Sequence, residues 1–524
     1  MKTKLFLGAF TLLAGSLHAQ IPEDVLKYSW QPTNGTARIN AIGGAMGSLG
    51  GDISALSINP AGLGFYKTSE IVLSPGLSFL KNKSNFRGTT ANDKDSWFNL
   101  GTSGIVAGWQ GNGRWSSKAF SFGITRAANF SNKIFYTGKN DFSSHAEQYA
   151  AEAATSGLDI GDIPGNTTVS FGTRMAAFNF LIDSLTYNGG TNVVSMAMWD
   201  ALKNGGDFLV DQSHTIETSG GVTELALGYA ANMDNKLYIG GSIGLPIVKY
   251  EKKNTFREED ATGNNDNNFS FSELSETFTT KGLGINAKLG FIAKPADFLR
   301  LGLAIHSPTW YSFEDTYFGK MDVFIENGRS DPGVTSVTTT TLPDENGNIP
   351  ENQPIAAYKY ELVTPWKFML SGSYVLSETE DVRQQKGFIT ADVEYATYKS
   401  NKFRNAEDYD DNGYYDGLNA TMKDYYKNAF NFRIGGELKF TTLMTRLGFA
   451  YYGSPYADKE LKANKMFISG GLGYRHAGMF IDLTYVHGLH KDVNFPYRLP
   501  DKANTFANTK GGGGNVMLTF GFKI

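Results

Sequence analysis

The chain has 524 residues with 60 Gly, 37 Phe, 26 Tyr, 7 Trp and no Cys, and its formal net charge is −4. Without cysteine there is no disulfide scaffold, thiolate zinc site or cysteine nucleophile. The slight acidic balance gives no basic field for nucleic acid. High Gly and aromatic content, with charged residues at only 19%, points to many short strands joined by turns.

Residues 1–19 read as a signal peptide. Lys2 and Lys4 precede the apolar run from Leu5 to Leu17, and Leu17-His18-Ala19 stands before Gln20 at a cleavage position. Residues 20–66 fit no strand pattern. They are dense in Gly (Gly35, Gly43, Gly44, Gly47, Gly50, Gly51, Gly62, Gly64) and carry Ile39, Ile42, Met46, Leu49, Ile53, Leu56 and Leu63, which need burial. Ser54–Ile58 is helix-compatible and is stopped by Pro60. A tightly turning apolar segment ahead of many strands predicts a hatch inside a barrel lumen.

From residue 67 to 524 the chain predicts an all-β fold, a 14-stranded antiparallel transmembrane β-barrel with partly helical extracellular loops. No run of 18 apolar residues follows residue 20, which excludes spanning helices but not spanning strands. Strands are expected to start near residues 69, 96, 116, 215, 236, 276, 297, 362, 385, 427, 442, 464, 478 and 513. Val516, Leu518, Phe520 and Phe522 share one face of the last, with Met517, Thr519 and Gly521 on the other. Connections after even strands are mostly tight, such as 232–235 and 475–478. Those after odd strands are long: 131–214, 252–275, 312–361, 400–426 and 491–511. That parity is what an outer-membrane barrel requires, with short periplasmic turns and long outer loops. Pro246, Pro308 or Pro365 marks a local break in strand pairing, because proline has no N–H to give; Pro246 is the best candidate for a gap, and the other two lie near loop ends. Pro246 is expected to lie deepest in its strand.

The 131–214 loop is too long to lack structure. Residues 175–185 place Phe178, Leu181, Ile182 and Leu185 on one helical stripe. The stripe lines a ligand groove or packs the loop over the barrel mouth. In the 408–416 run, Asp408, Asp410, Asn412 and Asp416 stand at positions 1, 3, 5 and 9 with Gly413 at 6, the first part of a Ca²⁺-loop pattern. Asn419 replaces the bidentate Glu at position 12, so a solvated acidic loop is the plainer reading. No other cofactor is expected. No nucleophile motif or paired-carboxylate spacing suggests an enzyme.

The hatch segment resembles the FadL/TodX outer-membrane transport family. The likeness rests on Gly35-Thr36-Ala37-Arg38, then Gly43-Gly44-Ala45-Met46-Gly47, Gly50-Gly51-Asp52 and Asn59-Pro60-Ala61-Gly62-Leu63-Gly64. The resemblance implies a hatch motif at Gly43, Gly44, Gly50, Gly51, Asp52, Asn59, Pro60, Ala61 and Gly62. It also implies passive outer-membrane transport of long-chain fatty acids or other hydrophobic small molecules, by loop capture, hatch rearrangement and lateral release. The partners expected are outer-membrane lipid and the barrel-assembly machinery, with no nucleic acid. A second reading keeps the barrel but makes it an interaction subunit of a secretion or assembly complex, docked to other outer-membrane proteins.

Overall fold

Every backbone N–H and C=O inside a bilayer needs a partner within the protein, so a sheet can cross only if it closes on itself. The computed structural model describes residues 24–326, 334–349, 355–377, 386–406, 413–458 and 464–524, and the expected signal peptide lies outside them. Fourteen staves follow in chain order. The first five are β1 (Glu70–Leu73 and Pro75–Phe86), β2 (Thr89–Leu100 and Ser103–Gln110), β3 (Trp115–Asn129 and Asn132–Asn140), β4 (Val210–Met233) and β5 (Leu237–Asp260). Next come β6 (Phe271–Ala296), β7 (Leu299–His306 and Trp310–Phe324), β8 (Ala356–Val363 and Lys367–Leu376) and β9 (Gly387–Ala396 and Lys402–Asn405). The last are β10 (Ala429–Phe440), β11 (Leu443–Tyr452), β12 (Lys465–His476), β13 (Met479–Asn494) and β14 (Ala507–Lys523).

Each stave pairs antiparallel with its chain neighbours. The ring then closes, with Glu70 opposite Lys523 and Leu77 opposite Val516. Alternation decides which way side chains face. In β14, Val516, Leu518 and Phe522 are exposed on the outer wall, whereas Met517 and Thr519 are fully buried inside. The exposed apolar wall identifies a membrane-spanning barrel of the outer membrane. No described helix is long and apolar enough to cross a membrane. At the periplasmic end the β4–β5 turn has positive φ at both Asp234 and Asn235, and the β12–β13 turn has it at Ala477 and Gly478. Two-residue hairpins that match strand twist need that geometry. The loop parity is not strict: β1 and β2 meet at the outer end in a tight Arg87-Gly88 turn, and residues 377–386 separate β8 from β9 at the periplasmic end.

The barrel is lopsided. β4, β5 and β6 have 24, 24 and 26 residues, about twice the 9–11 that span a bilayer. β10, β11 and β12 have 12, 10 and 12. One side of the wall therefore rises far above the membrane.

Inside runs the N-terminal segment, with α1 (Asp24–Ser29), α2 (Ala37–Ala41) and two 3₁₀ turns, Ile53–Leu56 and Pro60–Phe65. Ile39, Ile42, Met46, Leu49, Ile53, Leu56 and Leu63 form one buried cluster with the inward-facing Val106, Ala226 and Met369 of the wall. The wall leaves room by omitting side chains. A Cβ at Gly290 would collide with Asn59 Oδ1, and one at Gly448 with the backbone N of Gly43. Gly290→Leu should therefore displace the segment while the outer wall still folds. Its single-channel conductance in planar bilayers is expected to rise above that of the parent protein, with heat-modifiability as the folding control. An equal conductance would mean that the segment does not obstruct the lumen.

Candidate functional site

The segment's turns are built by short polar side chains acting as caps. Thr36 caps α2, and its hydroxyl also donates to Asp52 Oδ2 at 2.8 Å. Asp52 Oδ1 in turn accepts from Ser54 N at 2.9 Å and starts the 53–56 turn. Asn59 caps the 60–65 turn through Ala61 N at 3.2 Å, and Pro60 stands at its first position, where a missing N–H costs nothing. Asn59 Nδ2 also donates to Gly47 O at 2.5 Å and reaches the Phe291 and Leu303 carbonyls of the wall. Gly43, Gly44, Gly50 and Gly51 have φ of +68°, +78°, +68° and +68°, a region that residues with a Cβ rarely adopt. Gly62 packs where a Cβ would lie 3.0 Å from Gly50 Cα. The motif residues thus hold one another and hold the wall.

Several inward charges of the wall meet an opposite charge. Asp392 accepts from Met46 N at 3.1 Å and Gly47 N at 3.2 Å, and Arg433 Nη2 donates to Glu394 at 3.1 Å. Arg446 bridges Glu437 and Asp482 at 2.6 Å each, and Arg38 of the segment approaches Glu437 at 3.4 Å. Lys288 pairs with Glu224 at 2.8 Å. Both signs are buried side by side, so the wall presents no single-sign pore.

Between the segment and the wall lies a cavity of about 180 Å³. Its floor includes Asn34, Ser57 and Ile58, and its sides include Glu224, Lys288, Lys367 and Arg433. Above it, the ring of Tyr28 from α1 lies 4.7 Å from that of Phe313 and 5.9 Å from that of Phe130, within an aromatic cluster that fills the upper lumen. The cavity also reaches Ser307, Thr309, Thr364 and Pro365. Here β7, β8 and β9 are all interrupted, at residues 307–309, 364–366 and 397–401. Pro308 and Pro365 cannot donate ladder bonds. Hydroxyls stand in: Thr309 N donates to Thr364 Oγ1 at 2.8 Å, Ala287 N to Ser307 Oγ at 2.9 Å and Trp366 N to Thr397 Oγ1 at 3.1 Å. We call this interruption the seam. His306, at its lower lip, bonds through Nε2 to Ile58 O at 2.9 Å, tying it to the N-terminal segment.

Pro246 lines the same cavity. Pairing of β5 with β4 runs unbroken through it, but towards β6 the ladder omits Leu245 and Pro246 between Gly244↔Asn286 and Ile247↔Leu283. The larger interruption is the seam at Pro308 and Pro365, which sequence placed near loop ends. Two prolines on neighbouring staves carried the signal. Their alignment at one height depends on register across separate strands, which no single strand reveals.

The 175–185 helix is a correction. A helix covers Phe171–Phe178 only, and Ile182–Tyr187 is a strand paired with Gly190–Ser195. The helix ends because Phe180 takes φ +56°, with its N–H bonded to Ala177 O while Leu181 N bonds to Ala176 O, a Schellman closure. Leu181, Ile182 and Leu185 are buried at 0%, 0% and 3% exposure, and Leu181 and Ile182 join the core of the loop canopy, on which Phe178 packs from its edge. In that canopy His145 stacks on Phe256 at 4.4 Å, and burial pushes its pKa down to about 3. Asp408, Asp410 and Asn412 lie outside the described residues, and Asp416 sits in the first turn of the Tyr414–Tyr425 helix. Asn419 is committed elsewhere: it accepts from Phe403 N at 2.8 Å and donates to Phe403 O at 2.9 Å.

No protein-family model and no curated protein matches the chain. Among solved structures, a FadL homologue of Pseudomonas aeruginosa has a TM-score of 0.52 at 12% identity, covering 94% of this chain and 99% of its own. The toluene transporters TodX of P. putida and TbuX of Ralstonia pickettii cover the same shares, with TM-scores of 0.47 and 0.46 at 14% and 13% identity. The fold of this chain is that of the FadL-type barrel.

Arg446→Met should leave Glu437 and Asp482 buried without their shared cation. Losing one partner of such a network costs about 3–5 kcal/mol, expected as a lower temperature for the heat-induced gel shift. A parallel loss of about 2–5 kcal/mol is expected for Leu181→Ser, since it removes canopy core. That variant should show faster protease cleavage within 141–209 and an unchanged gel shift; intact resistance would mean that Leu181 does not hold the canopy together.

Proposed function

We propose that the protein carries hydrophobic compounds, long-chain fatty acids or similar molecules, passively across the outer membrane. The observation that carries this reading is the cavity that meets the seam. A ligand held there lies between the aromatic upper lumen and a stretch of wall with few ladder bonds. Lateral release delivers it to hydrocarbon rather than to water, which spares about 25 cal/mol for each Å² of apolar surface. At about 180 Å³ the resting cavity is smaller than the ~300–1,000 Å³ usual for small-molecule sites. The N-terminal segment must therefore shift to admit a whole ligand. The Ile58–His306 hydrogen bond links that shift to the lip of the seam. Capture by the 178–185 stripe would require the canopy to open, because three of its four side chains are buried.

The absence of native cysteine makes the seam testable by one introduced bond. In Thr309→Cys/Thr364→Cys the two residues face each other across β7 and β8, where Thr364 N already bonds to Thr309 O at 3.1 Å. Oxidation is expected to abolish uptake of a radiolabelled fatty acid into cells, and reduction to restore it, with binding to the purified protein retained. Full uptake with the bond formed would remove the seam as the exit. Absence of fatty-acid binding in the parent protein would favour a docking subunit instead.

A further inference from the structure

At the periplasmic mouth of the lumen, cations gather where the N-terminal segment meets the end of the wall. Glu437 of β10 is approached by Arg446 at 2.6 Å, by Arg38 of α2 at 3.4 Å and by Lys439 at 4.0 Å. Arg446 also bonds Asp482 Oδ1 at 2.6 Å, and its Nη2 is buried without a partner. Nearer the periplasm, the guanidinium of Arg475 in β12 lies over the Phe480 ring, 5.2 Å from its centre, and its Nε is also buried and unpartnered. The inward position between these two arginines is Gly473, so no side chain of β12 separates them. Lys523 stands exposed at the end of β14. Neither Arg475 nor Lys523 forms an ion pair among the described residues. Glu70, which attracts Lys523 from β1, is buried and accepts from Tyr66 Oη at 2.8 Å. Arg38, Arg475 and Lys523 act on one another as like charges across the mouth. Like charges this close raise the energy of the site unless an anion lies among them.

We propose that this mouth binds a phosphate group between Arg475 and Lys523 of the wall and Arg38 of the N-terminal segment. A guanidinium fork matches two phosphate oxygens, and the rigid plane of Arg475 rests on an aromatic floor that holds it in place. A phosphate dianion answers several cations at once, whereas a carboxylate brings a single charge. Bound phosphate also fastens α2 to the wall, because Arg38 belongs to the segment and Arg475 to β12.

The test is equilibrium dialysis of the full-length folded protein in non-ionic detergent against radiolabelled inorganic phosphate. The parent should bind a single phosphate per chain. Arg475→Gln should weaken binding about tenfold, the scale of one lost charge-assisted contact. Lys359→Gln, exposed on the outer wall, should bind as the parent does. Displacement of the label by glycerol phosphate would assign the site to a phosphate carried on a larger molecule, and its persistence would assign it to the free ion; either result keeps the site. No binding by the parent, unchanged binding in Arg475→Gln, equal weakening in Lys359→Gln, or displacement by equimolar acetate would each overturn the proposal. Should Arg475→Gln fail the heat-modifiability control, Lys523→Gln carries the same expectation, since an exposed lysine can be replaced without burying a charge.

Discussion

The structure depends on one constraint: a backbone in hydrocarbon cannot leave its hydrogen-bonding groups unpaired. A flat sheet has two edges, so β14 must come back to β1, and an even number of antiparallel staves follows from that return. Fourteen staves enclose a space wider than wall side chains alone fill. The inward faces are therefore either small, as at Gly290 and Gly448, or long and paired, as at Arg446 between Glu437 and Asp482. The N-terminal segment supplies the remaining volume.

Within that frame the seam is a local exemption obtained by substitution. Two prolines remove donors from neighbouring staves, and threonine and serine hydroxyls return some of the lost bonds. Side-chain bonds of this kind are single contacts rather than members of a cooperative ladder, so they can break one at a time. The cavity touches the wall where three neighbouring staves are interrupted.

Much of the fold was legible because period-two alternation is a local signal. Val516, Leu518 and Phe522 needed only their own neighbours to declare a face, and positive-φ turns such as Asp234-Asn235 have a recognisable residue type. The stripe at 178–185 was not legible, because helix and strand both bury residues at such spacing and the deciding event was a left-handed Phe180. Nor was the cavity, whose lining comes from Asn34, Glu224, Ser307, Pro365 and Arg433, scattered over some 400 residues of chain. A cavity of this kind arises from register between staves, and register is not written in any one of them.

Closure also sets an order of events. Ala37 N donates to Thr519 Oγ1 of the last stave at 2.7 Å, and the Thr484 hydroxyl of β13 donates to Ala37 O. The first of these bonds joins residues 482 positions apart. A growing chain therefore reaches the membrane with its N-terminal segment unable to complete its own contacts until the final strand arrives. Assembly of this barrel is an all-or-nothing event timed by the C-terminus, and such long sequence separation makes it slow. A chain shortened by even its last stave would lose the seal and the segment's anchor together.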